Sequence, residues 1–353
     1  MDAGAAFAKL VPAQWRSGKD SLVGGARRGL LVREASMRAG LFLVATVAGQ
    51  LALAQAAVAG EGGSSFYMLG TRATNAGVVP PPGGYLQFGL YGYSGNASAS
   101  IPLGGRLEFD LQADAVVGLL SGIYVADGGT VFGGRPYVVA MLPVGWKEIG
   151  VAAELTGPGG GVISGRREDS DLLIGDPVLG VGLGWGEGPW LGSLNLVVNV
   201  PVGDYSLSRP TNIALNRWAA DLTGGLTWIG PDGWQVNGAL GITLNGENEA
   251  TDYRSGTEMH LEAAVAKTTG SWTFGLAGYH MQQISGDSGA GAVLGDFKGR
   301  VSAIGPTVSW SGLWGRQPVS IDARWLREFD AENRMEGDVL FLNLTVPLGV
   351  KGG

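Results

Sequence analysis

Residues 106–117 read RLEFDLQADAVV, and their apolar and polar side chains alternate almost without fault. Leu107, Phe109, Leu111, Ala113, Ala115 and Val117 fall on one side of an extended chain, and Arg106, Glu108, Asp110, Gln112 and Asp114 on the other. Only a strand sorts side chains with period two; a helix would scatter both sets around its axis. The same sorting recurs where Val236, Leu240, Ile242 and Leu244 alternate with Gln235, Asn237, Thr243 and Asn245. It returns with Met259, Leu261, Ala263 and Val265 against Glu258, His260 and Glu262, and with Val319, Ile321, Ala323 and Trp325 against Ser320, Asp322 and Arg324. The final stretch sets Leu340, Leu342, Leu344, Val346 and Leu348 against Asp338, Asn343 and Thr345.

Extending this reading predicts strands at about 84–95, 106–124, 135–155, 171–185, 190–201, 216–229, 233–245, 256–268, 271–284, 299–311, 317–329 and 336–348. The connections at 96–105, 156–170, 202–215, 246–255 and 285–298 are long, and those at 186–189, 230–232, 269–270 and 312–316 are short. Two break the rule: 125–134 is long for its side and 330–335 is short. Long loops at one end and tight turns at the other are the mark of a transmembrane antiparallel β-barrel whose apolar faces look into lipid. Trp185, Trp190, Trp228, Trp234, Trp272, Trp310 and Trp314 flank the short turns, and Trp218 and Trp325 lie toward the long loops. That is where interfacial aromatic girdles belong. The expected fold is therefore all-β, a barrel of about twelve strands within a range of 10–14, spanning residues 84–348.

Composition agrees. Glycine numbers 63 of 353, charged residues are 16%, and there is no cysteine, so disulfides and thiolate metal sites are excluded. Arg38 followed by the uncharged apolar run Leu41 to Leu53, and Ala57-Val58-Ala59 before Gly60, predict a cleaved signal segment at 37–59. Residues 1–36 read as a leader or an extended start, and 349–353 as a tail. Removing the seven basic and three acidic residues of 1–59 from totals of 24 and 31 leaves a net charge of −11, which argues against a nucleic-acid partner. Residues 60–83 end in Pro80-Pro81-Pro82, yet carry Phe66, Tyr67, Met68 and Leu69. Such a tail is poorly suited to water, so it is expected to tuck into the barrel mouth as a plug; a free periplasmic tail is the alternative.

The chain resembles the outer-membrane barrel family named for the meta-pathway of phenol degradation. The likeness rests on Glu61-Gly62-Gly63 with Tyr67 and Gly70, on Pro80-Pro81-Pro82-Gly83, and on Thr251-Asp252-Tyr253-Arg254-Ser255-Gly256-Thr257-Glu258-Met259-His260. It continues through Gln282-Gln283-Ile284-Ser285-Gly286-Asp287-Ser288-Gly289, Gly295 to Val301, Arg324-Trp325, Glu328-Phe329-Asp330 and Asn333-Arg334. The resemblance implies an outer-membrane location in a Gram-negative bacterium and passive passage of small hydrophobic, aromatic compounds. It departs at the end, where such barrels usually finish on an aromatic residue and this chain reads Gly-Val-Lys-Gly-Gly.

Inward-facing charges are the remaining candidates. Arg106, Glu108, Asp110, Arg217, Asp221, Glu258, Glu262, Asp322 and Arg324 are expected in the lumen, paired across strands or lining a passage whose selectivity they set. Phe66 and Tyr67 join them as aromatic side chains on the route of an apolar ligand. His260 and His280, the only histidines, fall on adjacent predicted strands with Glu258 and Glu262 nearby, the arrangement a barrel hydrolase would need. No serine motif accompanies them, and no residue is assigned a catalytic role. Gly286-Asp287-Ser288-Gly289-Ala290-Gly291 lacks both P-loop and EF-hand spacing, so no metal or cofactor is expected. Partners are outer-membrane lipid, a small hydrophobic ligand and the outer-membrane assembly machinery. The rival readings are a structural or adhesive barrel binding partners through loops 156–170 and 285–298, and a hydrolase using His260 or His280.

Overall fold

The computed structural model describes residues 61–348 except 64, 103–105, 157–161, 210 and 294. The expected leader, signal segment and tail at 1–36, 37–59 and 349–353 lie outside the described residues. Strands run in chain order as β1 (Gly83–Pro102), β2 (Arg106–Val125), β3 (Arg135–Thr156), β4 (Val162–Ile174), β5 (Val178–Trp185), β6 (Trp190–Asn199), β7 (Ala219–Ile229) and β8 (Trp234–Asn245). A two-residue pair, β9 (Glu247–Asn248) and β10 (Tyr253–Arg254), sits in a loop. The wall then resumes with β11 (Glu258–Thr269), β12 (Trp272–Gln283), β13 (Arg300–Trp314), β14 (Gln317–Glu332) and β15 (Glu336–Leu348). Each wall strand pairs antiparallel with its neighbours, and β1 closes the ring on β15 from Gly84↔Leu348 to Asn96↔Glu336. Because β4 and β5 share one edge of β3 in series, the described wall has twelve positions.

The outer face carries the lipid belt. Leu240, Leu261, Leu276 and Leu342 are all 40–60% exposed, whereas inward neighbours such as Asn237, His260, Met281 and Phe341 are buried. In water such a band would aggregate; in a bilayer it is what holds the barrel in place. Trp190, Trp234, Trp272 and Trp314 stand exposed at the short-turn end, and Trp218 and Trp325 at the other. Both ends of the described chain's wall, Gly83 and Leu348, meet at the short-turn end, which places that end in the periplasm.

The structure corrects the sequence reading at several points. Strands β1 and β4 are longer than expected, so 96–102 and 162–170 are strand rather than long loop. The upper halves of β1 to β4 thus continue as sheet beyond the ring; β1 leaves β15 at Asn96 but stays paired with β2 to Pro102. There and at the top of the ring, the faces of 110–117 are the reverse of those expected. Leu111, Ala113 and Val117 are buried inward, the first two packed with Ile149 and Met335, while Asp110 and Gln112 point outward and are exposed. Above the bilayer the outer face meets water, so the polar residues take it. Asp338 likewise lies outside, accepting bonds from Trp325 Nε1 and Arg327 at 2.9 Å each.

The wall is interrupted where the prediction drew one strand over 171–185. Gly175-Asp176-Pro177 separates β4 from β5, and proline cannot donate to a ladder. Above the break β4 pairs with β3 only, and β6 has already ended at Asn199. Residues 200–217 fill the gap. Asp176, 3% exposed, accepts hydrogen bonds from the backbone of Gly203 (2.8 Å), Leu215 (2.8 Å) and Asn216 (3.1 Å) and from Asn199 Nδ2 (2.9 Å). Asn212 receives Lys147 Nζ on its carbonyl, and Arg209 pairs with Asp171 at 3.1 Å. Replacing Asp176 by alanine strands several buried donors at once. The Asp176→Ala barrel is expected to lose about 3 kcal/mol in urea unfolding from detergent and to become cleavable by protease within 200–217 while its strand content stays intact.

Candidate functional site

The lumen is occupied by the chain's own residues 61–79, whose contacts follow chain order from one end of the barrel to the other. Glu61 sits among the long loops. Its carboxylate accepts Asn248 Nδ2 (2.7 Å) and Thr251 Oγ1 (2.6 Å), and pairs with Arg217 at 3.2 Å. Ser65 accepts from Arg334 at 2.9 Å. In the middle, Glu262, fully buried, takes the backbone N–H of Gly70 (2.9 Å) and of Arg72 (2.8 Å), one on each oxygen. Arg324 donates back to the carbonyls of Gly70 and Thr71 and to Asp322 at 2.8 Å. Lower down, Ser193 Oγ donates to Ala76 O (2.7 Å), and Gly77 N to Thr227 Oγ1 (2.9 Å). Beyond them Val79 fills the space a side chain at Gly184 would need, and Pro81 O accepts Tyr85 Oη at 2.7 Å. The segment therefore runs the barrel's length rather than stopping at its mouth.

Two apolar surfaces receive it. Tyr67, Leu69 and Ala73 pack with Ala277, Met281, Val301, Leu326 and Phe341 of β12 to β15. Phe66 packs with Val178 and Ala219, just below the wall break. Gly70 turns here with φ +94°, a conformation costly for any side chain. A Cβ on Gly70 would also meet Leu326 at 2.9 Å.

Most of the predicted lumen residues converge on this segment. Arg217, Asp221, Glu258, His260, Glu262 and Arg324 are buried and inward, and Asp322 is partly so. Part of the expected cross-strand pairing forms, as His260 with Asp221, whereas Arg217, Glu262 and Arg324 hold the segment. His260 Nε2 lies 2.9 Å from Asp221, which also accepts Thr243 Oγ1 at 2.7 Å and Thr223 Oγ1. The His260 ring is stacked on Tyr67 at 3.7 Å. Glu328, inward on β14 and 4% exposed, gathers Tyr93 (3.0 Å), Tyr279 (2.6 Å) and Gly337 N (2.9 Å).

Others fall elsewhere. Asp110 is exposed on the outward face and accepts Ser98 Oγ at 2.7 Å. Arg106 and Glu108 lie in the sheet extension, opposite Pro102 and Ser100, and their side chains are outside the described residues. His280 is opposite Leu261, on the other face of the wall from His260, and its Nδ1 bonds Ser302 Oγ at 2.9 Å. The sequence reading missed Asp176, Arg72, Gly77, Asn195 and Thr227. Gly175-Asp176-Pro177 was a legible break signal; the others serve a partner 100 or more residues away, which periodicity cannot reveal.

Loop contacts explain the glycine-rich stretch 286–291. Asp287 is a clamp that accepts Gly256 N (2.8 Å), Gln283 Nε2 (2.5 Å) and Tyr253 Oη, tying 246–257 to 284–299. Burial, then the neighbouring carboxylate, hold the Tyr253 hydroxyl well above its usual pKa, so it remains the donor.

Where the segment meets the wall, backbone contact is closest at Gly77, where an added Cβ would lie 2.0 Å from Leu191 O. Gly77→Val is expected to unseat the lower half of the segment and raise single-channel conductance in planar bilayers. Gly224→Ala, at a site with open space, should leave conductance unchanged.

Residues 92–344 match the model of the family described as "Putative MetA-pathway of phenol degradation". Among solved structures, the COG4313 outer membrane channel from Pseudomonas putida F1 is 14% identical with a TM-score of 0.57, over 80% of this chain and 100% of that one. The β domain of the Bordetella autotransporter BrkA gives 10% and 0.44, over 75% and 100%. The CymD monoaromatic hydrocarbon channel gives 10% and 0.35, over 77% and 90%. No curated protein matches by sequence. The first of these structures shares the fold, a closed barrel of the Gram-negative outer membrane, and the family model spans most of the described wall. The chain belongs to the phenol-degradation MetA-pathway family of outer-membrane barrels.

Proposed function

We propose that this barrel is a passive channel that admits small hydrophobic, aromatic compounds across the outer membrane, with residues 61–79 as its plug and no catalytic step. The observation that carries the reading is the wall break beside Phe66. There the barrel is closed by a loop pinned on Asp176 instead of by a strand, and the lumen behind it is apolar at Val178, Ala219 and Met141. A solute dissolved in the lipid belt reaches such a gap without crossing a hydrogen-bonded ladder. A closed ladder would bar it, because parting strands in a bilayer leaves backbone groups unpaired. Phe66, Tyr67, Arg217, Asp221, Glu258, His260, Glu262, Asp322 and Arg324 are the proposed pathway residues. Asp110 and His280, on the outer face, drop out of that set.

The similarity of fold to an outer membrane channel supports the same reading. A purely structural barrel would gain nothing from a lumen whose charges grip a removable segment. The hydrolase reading finds less support. His260 is capped by Tyr67, and the His280–Ser302 pair on the outer face has no carboxylate in contact among the described residues.

Radiolabelled toluene and phenol uptake should be several-fold faster in cells carrying the intact gene than in cells lacking it. Cells expressing a chain without 61–79 should also admit hydrophilic sugars, having lost the plug. Equal rates for every compound in all three strains would remove transport from consideration.

A further inference from the structure

We propose that the face of His260 now covered by Tyr67 is a binding site for a planar phenolic ring, and that Tyr67 occupies it as a tethered stand-in until cargo displaces it. This deepens the uptake reading and rests on it for the reason the site would be vacated.

The Tyr67–His260 pair is the tightest of the aromatic contacts among the described residues, since the other stacked pair, Trp272–Phe274, is 6.0 Å apart. Its centroids are 3.7 Å apart with planes 16° from parallel, against 5.2 Å and 59° for Tyr91–Phe341. The imidazole is a fixed platform. One edge is bonded to Asp221 at 2.9 Å, and the ring lies across the space that any side chain at 241 would fill, since a Cβ on Gly241 would be 2.3 Å from its Cε1. Wall residues Met281, Leu326 and Phe341 supply apolar surroundings that do not depend on the segment. The site is thus built from the barrel, and only its occupant comes from residues 61–79.

The occupant is imperfectly served. Tyr67 Oη is buried beside Glu262 and Thr71 but reaches neither in a well-formed hydrogen bond, a state that costs free energy. It is tied to the backbone geometry set by Gly70 and Arg72. When the segment leaves, the two Glu262 oxygens lose the N–H groups of Gly70 and Arg72 and regain open acceptor positions. A free phenol can stack on His260 and turn its O–H toward that carboxylate, satisfying both. Cargo with a flat ring and a donor hydroxyl therefore fits better than a saturated ring or a bare hydrocarbon. The tether makes Tyr67 a competitor at high effective concentration, so the ring must be abundant to win.

The test uses the full chain purified in detergent and 4-methylphenol, the free equivalent of the tyrosine side chain, read by titration calorimetry. Tyr67→Ala should bind 4-methylphenol about tenfold tighter than the wild type, and tighter than it binds 4-methylcyclohexanol or toluene. Adding His260→Leu should remove that preference. Because the chain has no native cysteine, Ser65→Cys with Arg334→Cys can be bridged by a bifunctional thiol reagent to hold the segment in place. The bridged protein should lose 4-methylphenol binding. Heat-modifiable mobility on gels confirms that each variant is folded. Binding that survives the bridge, that ignores His260→Leu, or that takes the saturated ring equally well overturns the proposal. Uptake that is equal with and without the gene, with binding intact, would sink the transport reading and leave the site standing, whereas binding lost with gene-dependent uptake intact would do the reverse.

Discussion

Everything inside this barrel depends on one carboxylate. Glu262 is fully buried in the wall of a protein that sits in lipid, where an unpaired charge is among the costliest features a fold can carry. Its two oxygens take the N–H groups of Gly70 and Arg72, and Arg324 takes the carbonyls of Gly70 and Thr71 from the other side. Two wall charges and three consecutive backbone units thus satisfy each other in one short span. Removing the segment would leave those charges without these partners; removing the charges would leave a polar backbone in a largely apolar half-lumen. The wall and the segment specify one another, which is why charges that resemble a channel's lining in the sequence turn out to be a grip.

The same logic accounts for where sequence reading succeeded. Period-two patterning is a local property, dictated by lipid on one side, and it located all twelve wall positions to within a few residues apart from the extended β1 and the broken β4–β5. It assigned Glu258, His260 and Glu262 to the lumen correctly because Met259, Leu261 and Ala263 between them face lipid. It failed at 110–117, because alternation fixes that two faces exist and not which one is wet. Above the bilayer the outward side meets water, so Asp110 and Gln112 go out and Leu111 and Ala113 go in. His280 failed for a related reason: adjacency of strands does not place two residues on one face, and the register sets it opposite Leu261 rather than beside His260.

The candidate site was half legible. Phe66 and Tyr67 stood out as aromatic residues in a tail with no strand of its own, and the inward charges as residues needing a reason to be there. Their pairing was not readable, since Gly70 meets Glu262 across 192 positions and Gly77 meets Thr227 across 150. Glycine was informative only in retrospect. Gly77 admits backbone against backbone, and Gly241 leaves room for the His260 ring, yet both look like any other strand or turn glycine in a chain with 63 of them.

The break at Gly175-Asp176-Pro177 closes the barrel with a loop in place of a ladder. A ladder is cooperative, and parting it exposes a run of N–H and C=O groups to hydrocarbon, each at a cost of several kcal/mol. A loop held by one carboxylate concentrates the same closure in a few bonds around Asp176, which can be broken and remade together. Proline at 177 and the early end of β6 ensure that no ladder competes for the position. Closure by a loop is weaker than closure by a strand, and that weakness lies where the lumen is apolar and Phe66 is the nearest part of the lumen segment. The most easily opened part of the wall therefore adjoins the part of the interior best suited to an apolar solute.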